Sequence, residues 1–157
     1  MNNINARNIL PDHIKDSLIK FLNISELVSF LQKETKIDIT SDKEFIQPYE
    51  RDWSNIPGYA EAVSRPVNDE QCAILLYLFS NSNIPITISA GKTNLTGSAT
   101  PQGGLVISTE LMLNPSVQVD INSKIAQVPI GAFLEDVRNE ILKKTNNKLY
   151  YPVDPTS

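Results

Sequence analysis

The feature of this sequence that most constrains its fold is the stretch of residues 84–98. Polar Thr87 and Ser89 alternate there with apolar residues, which is typical of a β-strand. Small residues then follow, among them Gly91 and Gly97, and glycine readily adopts the positive φ angles that turn successive backbone N–H groups toward one point. Such an array of N–H groups binds phosphate. The stretch therefore predicts a strand that ends in an anion-binding loop.

Two other interpretations of this stretch stay open. Gly91-Lys92-Thr93 matches the end of the nucleoside-triphosphate P-loop, although the leading glycine of that motif would fall at Ile86. A P-loop also opens into a helix, whereas the residues after Thr93 predict a further loop. The second alternative is a glycine-rich hairpin that binds no ligand.

Composition bounds the class of protein. The 157 residues are 41% hydrophobic and 20% charged, with a formal net charge of −4, which suits one unit of ordinary domain size. The negative balance argues against nucleic acid as a partner. No apolar run reaches the roughly 18 residues of a membrane helix, and the N-terminal residues lack the apolar region of a signal peptide. We therefore expect a cytoplasmic protein with no transmembrane segment. Cys72 is the single cysteine, so neither an internal disulfide nor a metal site is expected.

The first part of the chain predicts helices and then a turn-rich segment. Apolar residues at near-helical spacing predict two helices within residues 12–35. Residues 36–64 contain Pro48, Pro57 and Gly58, which interrupt regular structure.

Residues 65–115 predict the order β-α-β-β. A short strand is expected at Val63–Val67, and Asn68 or Asp69 is expected to cap a helix whose acidic first turn suits the helix dipole. Cys72 on this helix is interpreted as a small core residue and not as a nucleophile. The side chains that this helix is expected to bury are Cys72, Leu75, Leu76, Leu78 and Phe79.

Residues 117–157 predict a second, smaller unit. Alternation of apolar and polar residues in 117–121 and 125–128 indicates two strands, and an amphipathic helix is expected around Ala132–Lys144. The apolar stripe of that helix is expected to contain Phe133, Leu134, Val137, Ile141 and Leu142. The whole pattern predicts an α+β protein with two small subdomains.

Seven motifs in a fixed order connect this sequence to one family. They are Tyr49-Glu50-Arg51-Asp52-Trp53, Arg65-Pro66-Val67-Asn68-Asp69-Glu70-Gln71, Ile84-Pro85-Ile86, the loop from Ser89 to Ser98, Gly103-Gly104-Leu105-Val106-Ile107-Ser108, Gly131-Ala132-Phe133-Leu134-Glu135-Asp136-Val137 and Tyr151-Pro152-Val153-Asp154-Pro155-Thr156-Ser157. Their order and spacing resemble the FAD-linked oxidases of the vanillyl-alcohol oxidase and p-cresol methylhydroxylase type. That family includes glycolate oxidase subunits and the D-lactate and D-2-hydroxyglutarate dehydrogenases.

The resemblance implies a fold and a domain organisation. The implied fold is α+β, with two small α/β subdomains of the p-cresol methylhydroxylase-type FAD-binding fold, incomplete at the C-terminus and preceded by N-terminal helices. Residues 1–45 would form the helical segment and residues 46–157 a partial FAD-binding domain. Within that domain, residues 65–115 would be the first subdomain and residues 117–157 the start of the second.

The resemblance also implies FAD, held without a covalent bond between the two subdomains. Relatives that tether the flavin use a histidine or a cysteine, but His13 lies far from the loop and Cys72 lies on the predicted helix. Lys92 stands where the family has a glycine, so its ammonium would either meet the pyrophosphate or point to solvent. The implied FAD-binding residues are Ser89, Ala90, Gly91, Lys92, Thr93, Asn94, Leu95, Gly97, Ser98, Pro155, Thr156 and Ser157.

The implied activity is oxidation of a 2-hydroxy acid, such as D-lactate, glycolate or 2-hydroxyglutarate, by hydride transfer to the flavin. In the family a second glycine-rich segment and a substrate domain follow, so we expect the isolated chain to be inactive and its retention of FAD to be weak or absent. The missing C-terminal part, or a second polypeptide, would then be a partner. No catalytic residue is assigned.

Two alternatives to this activity stay open. The chain is either a non-catalytic remnant or assembly module that self-associates through unpaired strands, or a fragment of a flavoprotein like the cell-wall precursor reductases.

Overall fold

The computed structural model describes residues 23–153, which form two sheets with their covering helices. The first unit contains α1 (Ile24–Glu34), β1 (Ile39–Thr40), α2 (Lys43–Ile46), a 3-10 turn (Gln47–Tyr49), β2 (Ala62–Ser64), α3 (Asp69–Asn81), β3 (Ile86–Ser89) and β4 (Leu105–Ser108). The second contains β5 (Gln118–Asp120), β6 (Ile125–Gln127) and α4 (Leu134–Lys144). Of the two helices predicted within residues 12–35, α1 is the second, and the first lies outside the described residues.

The first sheet has the strand order β1-β2-β4-β3. Strands β2, β4 and β3 run parallel, and β1 pairs with β2 in the antiparallel sense. Because β3 and β4 are parallel, the segment between them, residues 90–104, is a crossover and the hairpin interpretation is wrong. No helix occurs within this segment, so the P-loop interpretation is wrong as well.

Both long helices of the first unit begin after an asparagine that caps them, Asn23 for α1 and Asn68 for α3. The Asn23 side chain accepts a hydrogen bond from Glu26 N at 3.0 Å, and Asn68 accepts one from Gln71 N at 2.9 Å. Each side chain satisfies a backbone donor in the first turn that has no partner within the helix. The cap predicted at the start of α3 is thus confirmed at Asn68.

Two apolar layers cover the first sheet. Helices α1 and α3 pack on one face through buried side chains, and α2 with the 3-10 turn covers the other face. Leu76 was predicted to be buried by α3 but is 42% exposed, whereas Ile74 is buried. The buried stripe of α3 consists of Ile74, Leu75, Leu78 and Phe79, so Leu76 falls on the opposite side of the helix.

Strand β2 is shorter than predicted because its last three expected residues, 65–67, do not pair with a neighbouring strand; Val67 N donates to the Gln71 side chain at 3.0 Å. It ends at Ser64 instead of Val67. Arg65 N donates to Asp38 O at 2.9 Å, and Pro66 has no N–H to offer to a neighbouring strand.

The second unit is a hairpin with one helix. Strands β5 and β6 are antiparallel, and α4 packs through Val137 and Ile141 in a separate small cluster with Val117. Phe133 was predicted to lie on the apolar stripe of α4, but it is the exposed residue before the helix, with extended backbone. Its side chain therefore turns away from that stripe.

None of the helices in residues 23–153 is long and apolar enough to cross a membrane. The cytoplasmic location stays a prediction.

Candidate functional site

The loop of residues 90–98 leaves the sheet at the carboxyl end of β3, the end at which parallel sheets bind ligands. Among the described residues, no backbone N–H group from residue 90 to residue 98 has a hydrogen-bond acceptor. Lys92 and Gly97 have left-handed backbone, with φ of 58° and 76°. The loop is thus a run of backbone donors without acceptors in the described part of the chain, with two left-handed residues at which the direction of the chain changes.

The carboxylate of Asp52 holds this loop in place through hydrogen bonds. Asp52 Oδ2 accepts hydrogen bonds from Asn94 Nδ2 at 2.7 Å and from Ala99 N at 3.3 Å. Its Oδ1 accepts from the Ser54 amide at 2.9 Å and from the Ser54 hydroxyl. These bonds, that from the Ser54 hydroxyl foremost, lower the pKa of Asp52 from 3.8 to about 2. The carboxylate is therefore saturated by donors of the protein itself, and Asn94 also donates to Ser98 Oγ at 2.9 Å.

Lys92 folds back over the preceding segment. Its ammonium donates to Pro48 O at 2.9 Å and lies 4.5 Å from the centroid of the Tyr49 ring. Its carbonyl oxygen accepts a hydrogen bond from Trp53 N at 3.1 Å. The side chain is thus held by the protein itself and does not extend into open solvent, and a contact of Lys92 with the pyrophosphate stays a prediction.

The Tyr49 ring is itself held in a polar network. Its hydroxyl donates to Glu110 Oε1 at 2.7 Å, and Arg65 Nη1 lies 3.4 Å from the same oxygen. Burial and then the bond to Glu110 raise the pKa of Tyr49 to about 12. Burial of Arg65 works against its charge, but the hydrogen bond to Asp38, with Nη2 to Oδ2 at 2.6 Å, raises its pKa. The network joins the end of β4 to the 3-10 turn and to β2.

A cleft of about 270 Å³ lies between the loop and the segment before α4. The segment before α4, residues 130–133, forms the second wall of the cleft. An added Cβ at Gly131 would lie 2.3 Å from Thr109 O, so this wall can approach the end of β4 only with glycine at this position. An added Cβ at Gly91 would meet only Thr93 Cγ2, at 3.8 Å, so this side of the loop is open. The residues that line the cleft are Ala90, Gly91, Lys92, Thr109, Glu110, Ile130, Gly131, Ala132 and Phe133.

The chemistry of this cleft suits a phosphate group. Beside the free N–H groups of the loop, the buried hydroxyls of Ser89 and Thr109 have no hydrogen-bond partner among the described residues. Buried hydroxyls without partners are rare because they lose hydration and gain nothing in return. Thr109 and residues 90–92 line the cleft, whereas Ser89 lies directly before it at the end of β3, so an oxygen-rich ligand in the cleft would offer acceptors beside donors of both kinds.

The structure distributes the predicted site residues unequally. Ala90, Gly91 and Lys92 line the cleft, and Leu95 is 73% exposed at the tip of the loop. Ser89 is the last residue of β3. The rest of the loop contains Thr93, Asn94, Gly97 and Ser98. The three C-terminal candidates lie outside the described residues: Pro155, Thr156 and Ser157.

Sequence reasoning missed the residues that support the loop. Asp52 and Tyr49 were noted as part of a motif but were assigned no role, and Glu110 was not singled out. The signal available was the pairing of an isolated acidic residue with an aromatic neighbour just before the domain. Their partners are 42 to 61 residues away along the chain, so the contacts themselves leave no local pattern.

Comparisons with known proteins agree on the kind of domain. An uncharacterized FAD-linked oxidoreductase of Mycobacterium tuberculosis is 33% identical over 101 residues, 64% of this chain and 20% of that protein. The glycolate oxidase subunit GlcD of Bacillus subtilis is 32% identical over 98 residues, 62% of this chain and 20% of that protein. A D-lactate dehydrogenase of Anaerostipes hadrus is 27% identical over 95 residues, 60% of this chain and 19% of that protein. The chain thus spans about a fifth of the length of these relatives.

Comparison with solved structures identifies the same kind of fold. The solved structure of an alkyldihydroxyacetonephosphate synthase superposes with a TM-score of 0.66 at 17% identity, over 78% of this chain and 25% of that one. This likeness confirms the predicted α+β fold of the p-cresol methylhydroxylase type. Residues 60–157 match the family described as the FAD binding domain, which covers more than half of the chain. The free donors of the loop, the glycine-shaped cleft and this match lead to one conclusion: the chain belongs to the FAD binding domain family of FAD-linked oxidoreductases.

Proposed function

We propose that residues 89–98, together with the wall at Gly131, hold the pyrophosphate of FAD in an oxidoreductase that acts on a 2-hydroxy acid. The observation that carries the first part is the run of nine backbone N–H groups, residues 90–98, that have no acceptor among the described residues. Such a run stabilises the two negative charges of a pyrophosphate without needing a basic patch. The bound flavin supplies a hydride acceptor.

The substrate class rests on the relatives. GlcD is named as a glycolate oxidase subunit, and other relatives are named as D-lactate dehydrogenases. Both names refer to 2-hydroxy acids, which lose a hydride from the carbon that bears the hydroxyl group. A base must remove the hydroxyl proton in that reaction.

Among residues 23–153, no free ionisable group for that proton transfer lines the cleft. Lys92 and Glu110 are the ionisable residues that line it, and both side chains are engaged in hydrogen bonds to the first unit. The proposal therefore includes a further segment or a second polypeptide that supplies the substrate-handling groups, and the 157-residue chain alone is expected to show no turnover of D-lactate or glycolate.

Competition for FAD tests the pyrophosphate site directly. The purified chain is titrated with FAD and followed by flavin fluorescence, and the complex is then challenged with ADP and, separately, with riboflavin. ADP shares the pyrophosphate and adenosine part of FAD, whereas riboflavin shares only the isoalloxazine and ribityl part. We expect ADP to displace FAD and riboflavin to have no effect. Displacement by riboflavin alone would overturn the proposed position of the pyrophosphate.

One observation favours a second role in self-association. Strand β3 lies at the edge of its sheet, and Pro85 O and Ser89 O accept from β4 and its extension, so the backbone groups of Ile86 and Ile88 point to the free edge. Ile88 is 49% exposed and borders an apolar groove of about 840 Å³ beside α3. A free edge of this kind is able to pair with a second copy of the chain.

Sedimentation velocity distinguishes this role from flavin binding. We expect dimers of the wild-type chain at high concentration and monomers of I88K, because a lysine at the edge blocks strand addition. Arg51→Glu, a charge change away from the groove, serves as the control. A wild-type chain that stays monomeric at the highest concentration tested would remove the second role and leave the flavin proposal unaffected.

A further inference from the structure

Lys92 holds a position that costs backbone strain. Its φ of 58° lies in the left-handed region, which is unfavourable for a residue with a Cβ. The residue nevertheless makes contacts that a glycine could not make, to Pro48 and Tyr49, which lie 44 and 43 positions earlier in the sequence.

We propose that Lys92 is a positioning residue, or clamp, whose side chain holds the cofactor loop against the 3-10 turn and does not itself contact the flavin. This inference rests on the proposed function of the loop. The ammonium lies over the face of the Tyr49 ring while it donates to Pro48 O, which combines a cation–π contact with a charge-assisted hydrogen bond. Both contacts draw the side chain toward the first unit.

The anchor of this clamp is rigid. Tyr49 is buried, stacks on Phe45 with ring centroids 6.1 Å apart, and has its hydroxyl fixed by Glu110. A lysine bound to such a support loses side-chain freedom before any ligand arrives. The main chain of Lys92 is fixed from the other side because its carbonyl oxygen accepts from Trp53 N at 3.1 Å.

The clamp sets the direction of the first donors of the loop. Residues 90–93 are held at Lys92 by the 3-10 turn, and residues 94–99 are held by Asp52. Between these two supports the backbone N–H groups have no partner of their own, so their orientation depends on the supports. Ordering that is complete before binding does not reduce the affinity for the ligand.

Hydrogen exchange of the cofactor-free chain tests the clamp without requiring flavin. The Lys92→Met variant keeps the stem of the side chain and removes the charge and the donor. We expect the amide of Trp53, which donates to Lys92 O at 3.1 Å, to exchange ~5-fold faster in this variant, because local opening of the loop then loses one cation–π contact and one side-chain hydrogen bond. Tyr49→Leu removes the other partner and is expected to give the same increase, with no further increase in the double variant.

Two variants separate a clamp from a general effect of the substitution. Lys92→Arg retains a cation that stacks on aromatic rings and donates hydrogen bonds, so it is expected to exchange at nearly the wild-type rate. Lys124 matches Lys92 in residue type and in left-handed backbone, with φ of 57°, but lies in the turn between β5 and β6. Lys124→Met is therefore the matched control and should leave exchange at the Trp53 amide unchanged. Exchange at Trp53 that is the same in Lys92→Met and wild type overturns the proposal.

The FAD titration provides a second test, which measures the affinity of the Lys92→Met variant for FAD. We expect the dissociation constant of FAD to rise in Lys92→Met by about the same factor as the exchange rate. A large loss of affinity with unchanged exchange would show a direct contact between Lys92 and the cofactor and would overturn the clamp. If the wild-type chain binds no FAD, the proposed function fails in its own assay, and the exchange arm still decides whether the clamp exists.

Discussion

Two glycines of the crossover between β3 and β4, Gly91 and Gly104, impose different requirements on the backbone. Gly104 has φ of 70°, and an added Cβ would lie 2.1 Å from Pro85 O, a backbone atom that cannot move aside. We expect Gly104→Ala to lower the free energy of unfolding by at least about 2 kcal/mol, measured by urea denaturation. A variant as stable as wild type would show that β3 and β4 separate easily at this point.

Gly91→Ala is expected to behave in the opposite way. Its added methyl group would meet only Thr93 Cγ2, at 3.8 Å, so stability should change by less than about 0.5 kcal/mol. The methyl group would project into the space of the ligand, and we expect FAD affinity to fall by about tenfold or more. Unaltered affinity would mean that the flavin does not approach this side of the loop.

Asp52 links the stability of the loop to pH. Its folded pKa of about 2 lies below the ordinary 3.8, so its contribution is present above pH 3.8 and is lost as the pH falls toward 2. We expect the wild-type chain to lose more stability than Asp52→Asn over this window, measured by urea denaturation at pH 7, 4 and 2.5. Asp120, another depressed carboxyl, lies in the turn after β5, and Asp120→Asn controls for the general effect of removing a charge. Identical losses in wild type and Asp52→Asn would contradict the assignment.

The limits of sequence reasoning at this scale follow from distance along the chain. The cap at Asn68 was predictable because its partner lies three residues away. The bonds of Asp52 to Asn94 and of Lys92 to Pro48 span more than forty residues, and no local pattern encodes them. The glycine-rich loop was recognised, but the direction of the Lys92 side chain depends on where the fold places Tyr49.

Helix α3 shows why burial was partly mispredicted at the level of the element. Most of its length is apolar, with Cys72, Leu76 and Tyr77 outside the buried stripe, so the sequence shows two plausible apolar faces. The structure buries Leu75 completely and leaves Leu76 largely open. The outer face borders the apolar groove instead of the core.

Two neighbouring leucines, Leu75 and Leu76, therefore test which face of α3 packs against the core. We expect Leu75→Ala to lower the free energy of unfolding by about 2–5 kcal/mol, because it opens a cavity in a fully buried site. Leu76→Ala should cost less than about 1 kcal/mol, since the side chain is already in contact with solvent. Chemical denaturation of both variants at one pH measures the difference. Equal costs would place the second face of α3 against a further part of the protein.

At the scale of the molecule, the chain contains two apolar cores of unequal size. Among the described residues, the main cluster beneath α1 and α3 has twelve buried side chains, whereas the cluster beneath α4 has three. Burial of apolar surface is the main source of stability, so the second unit has the weaker support. The cleft lies between these two units and therefore borders the less stable one.

This imbalance predicts unequal opening. We expect backbone amides of β5, β6 and α4 to exchange faster with deuterium than those of β2, β4 and α3, measured on the same sample by mass spectrometry. Addition of FAD should slow exchange in both units if the cofactor bridges them. Uniform exchange across the two units in the absence of FAD would contradict the separation into two cores.

The crossover of residues 90–104 is the only covalent path from β3 to β4, and it contains the entire cofactor loop. A break at its exposed tip, Leu95, would leave β1, β2 and β3 in one piece and β4 in the other. Reassembly of the pieces would then depend on insertion of β4 between β2 and β3. With the pyrophosphate bound as proposed, the cofactor would contact residues on both sides of the break, so FAD would be expected to favour reassembly of the two pieces.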